Sequence, residues 1–103
     1  MKNINADEFN KIKAEGKAIF QFSANWCGPC RTLSPVLEDI SRKTGVDVYK
    51  IDIAENNALA QEYNVKSIPA VFFFNNGKKI HEFVGSKPTN LILNEVQQKY
   101  GIL

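Results

Sequence analysis

Two rhythms of apolar and polar positions alternate along the chain, and each change of rhythm marks a new element. Phe9 and Ile12 lie at helical spacing behind Asn5 and Glu8, whose three-residue separation suits a capping box; Gly16 closes this first short helix. Ala18-Ile19-Phe20-Gln21-Phe22 is apolar at almost every position, the pattern of a strand covered on both faces, with Gln21 the exception. From residue 27 to about 43, Leu33, Val36, Leu37 and Ile40 return to the helical period, and Gly45 follows as terminator. Pro35 falls inside that pattern and, lacking an N–H, predicts a kink. Val46 to Ile53 reads as the next strand, and Asn56 to Tyr63 as a short helix with Asn64 suited to its left-handed cap. Ala70 to Phe74 is a wholly apolar strand, Asn75-Asn76-Gly77 a hairpin turn and Lys79 to Val84 the return strand. Pro88 stands near the start of a last helix, with Ile92, Val96 and Tyr100 on one face and Gly101 at its end.

This order, α-β-α-β-α followed by a hairpin and a helix, predicts an α/β fold: a central mixed sheet with helices on both faces. Strands separated by helices are expected to run parallel with right-handed crossovers, and the hairpin to add an antiparallel strand. A short strand near Lys2–Ile4 would extend the sheet. No repeat or Pro/Gly/Ser linker interrupts the chain, so residues 1–103 read as one domain. A hydrophobic content of 44% is enough for a core without disulfide staples.

Lys and Arg are scattered among Asp and Glu at a net charge of +2, which argues against a nucleic-acid stripe or a polybasic membrane patch. The longest apolar run, Ala70 to Phe74, is far too short to span a bilayer, and Met1 to Glu8 has no apolar core of signal-peptide length. These features predict a cytoplasmic protein with neither nucleic-acid nor membrane partners, and a monomer is expected. In a reducing compartment two cysteines point to metal binding or catalysis rather than to a permanent bridge.

Cys27 falls where a buried strand gives way to a helix. The first helical turn presents free N–H groups and a partial positive charge, which favour a thiolate there. Cys30, three residues on, lies about one turn away. The spacing therefore offers an attacking thiol in Cys27 and a resolving thiol in Cys30, the latter more buried. The competing reading is half of a zinc site. A closed structural site takes about four ligands, whereas the chain has two Cys and one His; His81, far along the last strand, is expected to face solvent.

The stretch Trp26-Cys27-Gly28-Pro29-Cys30 resembles the active site of the thioredoxin family, and the agreement covers nearly the whole chain. Pro35 is similar to the family's kinking proline, Ile68-Pro69 to its cis-proline segment, Asn76-Gly77 to its hairpin turn and Gly85 to its glycine beside the site. The resemblance implies the thioredoxin fold and reduction of protein disulfides through a Cys27–Cys30 dithiol–disulfide cycle. No bound cofactor or metal is implied, and thioredoxin reductase would supply the electrons. Trp26, Gly28, Pro29, Ile68, Pro69, Val84 and Gly85 would form a flat apolar rim on which targets dock. Pro69 brings no N–H to that rim, so the neighbouring backbone of Ile68 is free to pair with a target strand.

Two positions depart from the family. Gln21 stands where a buried Asp is usual, six residues before the first Cys, and Ser23 where a second Trp is common. The usual partner lysine is kept as Lys50. A neutral amide at position 21 can satisfy local hydrogen bonds without burying a charge, and Lys50 can either be buried beside it or snorkel to water.

Overall fold

The computed structural model describes residues 1–102; Leu103, the last residue of the expected domain, lies outside the described residues. In chain order the elements are β1 (Lys2–Asn3), α1 (Ala6–Lys13), β2 (Lys17–Ser23), α2 (Gly28–Thr44), β3 (Asp47–Asp52), α3 (Asn57–Glu62), β4 (Ala70–Asn75), β5 (Lys78–Val84) and α4 (Thr89–Tyr100). The strands form one sheet in the order β1-β3-β2-β4-β5.

Local chemistry sets the boundaries. The Asn5 side chain accepts from the Glu8 N–H and the Glu8 carboxylate accepts from the Asn5 N–H, which completes the capping box of α1. α2 runs through Pro35 and stops at Gly45, whose left-handed backbone (φ 77°) returns its N–H to the Ser41 carbonyl. Asn64 also adopts a left-handed backbone after α3, and Asn76-Gly77 turns β4 into β5 with both φ angles positive.

β1 and β2 both run parallel to β3, whereas β4 is antiparallel to β2. The expectation that helix-separated strands run parallel therefore holds across α2 and fails across α3. A six-residue helix is only about 9 Å long, about half the length of a six-residue strand. α3 and the loop after it leave the chain at the end of the sheet where β3 finished. β4 therefore starts beside the end of β2, and the segment before it, Ile68-Pro69, is delivered next to the start of α2.

Each face of the sheet carries its own core. α2 and α4 cover one with Leu33, Leu37, Ile40, Ile92 and Val96 against Ile19, Val71 and Phe73. α1 and α3 cover the other with Phe9 and Leu59 against Phe20, Phe22, Ile51, Phe72 and Phe74. Strand alternation thus sorts Ile19, Gln21 and Ser23 toward α2, and Phe20 and Phe22 away from it.

His81 does not face solvent as expected. It lies on the α4 side of β5, half-buried, with its ring against Phe73 and Nε2 3.2 Å from the Glu95 carboxylate. The alternation of β5 puts His81 and Phe83 on one face, and α4 brings Glu95 over them. Lys87 also donates to Glu95. Burial raises the Glu95 carboxyl, but the hydrogen bonds from Lys87 and His81 outweigh it and hold the group below the usual carboxylate range. A carboxyl depressed in the folded state stabilises above its unfolded value of about 4.3 and loses that contribution as pH falls through the folded value. Glu95→Gln is therefore expected to cost on the order of 1 kcal/mol at pH 7 in urea melts, with the deficit shrinking toward pH 3. An unchanged deficit at both pH values would reject the ion pair as its source.

Candidate active site

β2 delivers the chain to the top of the sheet at Ser23, and a tight turn follows in which the Cys27 N–H donates to the Ala24 carbonyl at 3.1 Å. Cys27 is the N-cap of α2: its backbone is extended and its Sγ accepts the Cys30 N–H at 3.2 Å. The sulfur occupies the place a Ser or Asp oxygen takes in an ordinary cap. Pro29, in the first turn, removes a donor that has no helical partner there. Cys27 and Cys30 form a disulfide across a Cα–Cα distance of 5.3 Å, with Cys30 the more buried.

Around the pair, Ile53 and Ile68 pack against Ala24, Cys27 and Cys30. The Ile68-Pro69 peptide bond is cis. Gly85, with φ 86°, donates its N–H to the Pro69 carbonyl at 2.8 Å, and Val84 pairs with Ala70 in the β4–β5 register. The two loops that carry Pro69 and Gly85 are thereby tied together beside the cysteines. Trp26 is 73% exposed and Val84 56%, two of the few large apolar side chains left in water. Leu91, on α4, is the third. Ile68 thus packs directly against Cys27, Pro69 behind it is buried, and Val84 and Gly85 are tied to the same segment, while Trp26, Gly28 and Pro29 flank the cysteines in sequence and are exposed.

Gln21 lies behind the pair, on the α2 face of β2, and is 0% exposed. Its Nε2 donates to the Cys30 carbonyl at 3.1 Å, and its Oε1 accepts the Ser34 hydroxyl at 2.9 Å. Lys50 is its register neighbour on β3 but is only half-buried. It opens onto a polar cleft of about 680 Å³ shared with Ser23, Arg31, Asp52 and Glu8. The cleft beside the small Ser23 gives Lys50 an open path to water. Among the described residues no group of three or more His, Cys, Asp or Glu is arranged to hold a metal ion.

One residue at the site was not singled out from the sequence: Ser34. Its signal was present, a polar residue four positions after Cys30 and beside Leu33 in an otherwise apolar helical stripe. Only the β2–α2 packing shows that it meets Gln21.

The Thioredoxin family model matches residues 1–98. A thioredoxin of Chlamydia caviae is 35% identical over 99 residues, covering 95% of this chain and 97% of its own length. A thioredoxin of Coprinus comatus is 40% identical over 91 residues, covering 84% of this chain and 86% of its own. An N21Q mutant thioredoxin from Halobacterium salinarum superposes with a TM-score of 0.88 at 28% identity, over 99% of this chain and 94% of the other. With a match that runs from β1 into α4 and a cysteine pair capping α2, the chain belongs to the thioredoxin family of thiol–disulfide oxidoreductases.

Proposed function

We propose that Cys27 is the nucleophile and Cys30 the resolving thiol in the reduction of protein disulfides. The supporting observation is the sulfur of Cys27 at the N-cap of α2, accepting the Cys30 N–H. A donor and the positive end of the helix dipole already point at that sulfur, and both favour its thiolate in the reduced protein. The Cys27 thiolate attacks one target sulfur, so that a Cys27–target bond forms and the other target sulfur leaves as a thiol after taking up a proton. Cys30 then loses its proton and attacks Cys27 Sγ. The Cys27–Cys30 bond forms, the second target sulfur leaves and is protonated, and the target has gained two electrons.

Targets dock on Trp26, Gly28, Pro29, Ile68, Pro69, Val84 and Gly85, with an extended segment pairing along the Ile68 backbone. Gln21 and Lys50 tune the site from behind. Thioredoxin reductase recharges the disulfide, and no bound cofactor takes part. The protein works as a cytoplasmic monomer, one domain over residues 1–103. Insulin reduction with dithiothreitol as electron donor tests the activity, with turnover expected. Brief iodoacetamide treatment of the reduced protein at near-neutral pH, followed by mass mapping, tests the assignment. Label is expected on Cys27, and preferential label on Cys30 would reverse the two roles.

A further inference from the structure

The Ser34 hydroxyl has one proton and two acceptors at equal distance, Gln21 Oε1 and the Cys30 carbonyl, both 2.9 Å away. Gln21 Nε2 donates to the same Cys30 carbonyl at 3.1 Å. Turning the Gln21 amide over would set its oxygen against that carbonyl, acceptor against acceptor, so the orientation follows from chemistry. If Ser34 gave its proton to Cys30, Gln21 Oε1 would be left without a donor in a fully buried site, which is costly. The arrangement that satisfies every group is a relay: Ser34 donates to Gln21, and Gln21 donates to Cys30. All three residues are buried.

The relay sits where α2 is weakest. Pro35 has no N–H, so the Arg31 carbonyl receives no helical hydrogen bond in the turn just after the cysteine pair. While Cys27 and Cys30 are bonded, the disulfide itself holds the Cys30 sulfur. In the mixed disulfide that bond is absent, and the direction of the Cys30 side chain rests on its backbone.

We propose that Ser34 is a positioning residue for the second chemical step, acting through Gln21 to hold the Cys30 backbone so that its thiol stays aligned with Cys27 Sγ. The inference rests on Cys30 being the resolving thiol. The relay carries no ionisable group and so aligns the thiol without adding a charge behind it. Alignment is worth most where one sulfur must approach another along the bond being broken.

Stopped-flow measurement of mixed-disulfide formation and resolution, with a single-cysteine target peptide disulfide, separates the two steps. Ser34→Ala is expected to slow resolution about tenfold, with the rate of Cys27 attack within about twofold of wild type and no new inflection in the pH profile of either step. On a Gln21→Leu background, which removes the middle of the relay and leaves Ser34 only its direct bond to the Cys30 carbonyl, Ser34→Ala should slow resolution by no more than about twofold. Equal slowing of both steps, no slowing, or undiminished slowing on the Gln21→Leu background would overturn the proposal. A parallel Cys30→Ser variant distinguishes the failures. If it accumulates mixed disulfide while Ser34→Ala resolves normally, only the role of Ser34 falls; if it accumulates none, the assignment of Cys30 falls as well.

Discussion

Cys30→Ser is expected to turn the protein from a catalyst into a trap. The Cys27 thiolate still attacks, because the helix N-terminus that favours it and the Cys30-position N–H that points at its sulfur are backbone features and survive the change. The second step has lost its nucleophile, since a serine hydroxyl stays protonated near neutral pH and does not displace a thiolate from a disulfide. Mixed disulfide with target should accumulate in stoichiometric amount and be released by added dithiothreitol. Cys27→Ser should differ in kind: little mixed disulfide forms, because Cys30 lies inside the first turn of α2, more buried than Cys27 and away from the N-cap that favours a thiolate. Insulin reduction should fall by at least about a thousandfold in either variant, the order of loss when a covalent nucleophile is removed. Non-reducing gels and mass spectrometry of the adducts check both. Adducts on Cys30 in the Cys27→Ser protein, at the rate Cys27 forms them in Cys30→Ser, would sink the assignment.

What the sequence showed and what it hid divide along physical lines. Elements whose signal is local were legible: the capping box at Asn5 and Glu8, the turn at Asn76-Gly77 and the left-handed stops at Gly45 and Gly101 need only a few neighbouring residues. The cysteine pair was legible because strand, helix start and spacing all lie within one short stretch. The direction of β4 was not, since it depends on the path of the whole connection from β3, α3 and the loop after it together, rather than on the pattern within either strand. His81 was misplaced for the same kind of reason: its partner Glu95 comes from α4, and nothing near His81 in sequence announces it. Ser34 had a helical-spacing signal, but its meaning required knowing that the α2 face of β2 presents Gln21. The register of β2 with β3 sets Gln21 beside Lys50, yet the partners of the amide are Cys30 and Ser34 from α2, while Lys50 lines the open cleft by Ser23.

Gln21→Asp is expected to destabilise the protein strongly and to change both thiol steps. The wild-type amide is fully buried and both donates and accepts. A carboxylate one methylene shorter cannot donate to the Cys30 carbonyl, and its charge has been taken out of water. The cost at pH 7 should be about 3 kcal/mol, reduced to the extent that Lys50, its register neighbour, swings in from the cleft to pair with it. Burial raises the folded-state pKa of the new carboxyl above its unfolded value of about 3.9. Between those two values the folded protein holds the proton more tightly, so stability relative to wild type falls as pH rises. The deficit should be small below about pH 4, grow through the folded value and then level off. Denaturant melts of the two proteins from pH 4 to 8 measure this directly. At the site, a negative charge behind the cysteine pair disfavours a second one. Alkylation of Cys27 should therefore reach half its maximal rate at a higher pH in Gln21→Asp than in wild type. The resolving step meets two opposed effects: the donor to the Cys30 carbonyl is lost, which slows it as loss of the relay does, and a proton acceptor is gained, so Gln21→Asp should resolve faster than Gln21→Leu, which loses the donor and gains no base. In the wild-type protein the Cys30 proton has only solvent or the departing target thiolate to go to, whereas a carboxylate held behind Cys30 can accept it. Cys27 and the new carboxyl should also titrate as a coupled pair, which the neutral amide of the wild-type protein cannot produce. A Gln21→Asp protein that melts like wild type at every pH and alkylates with the same pH profile would mean that position 21 is solvated. Resolution faster than in Gln21→Leu without loss of stability would mean that Lys50 neutralises the new charge at no cost.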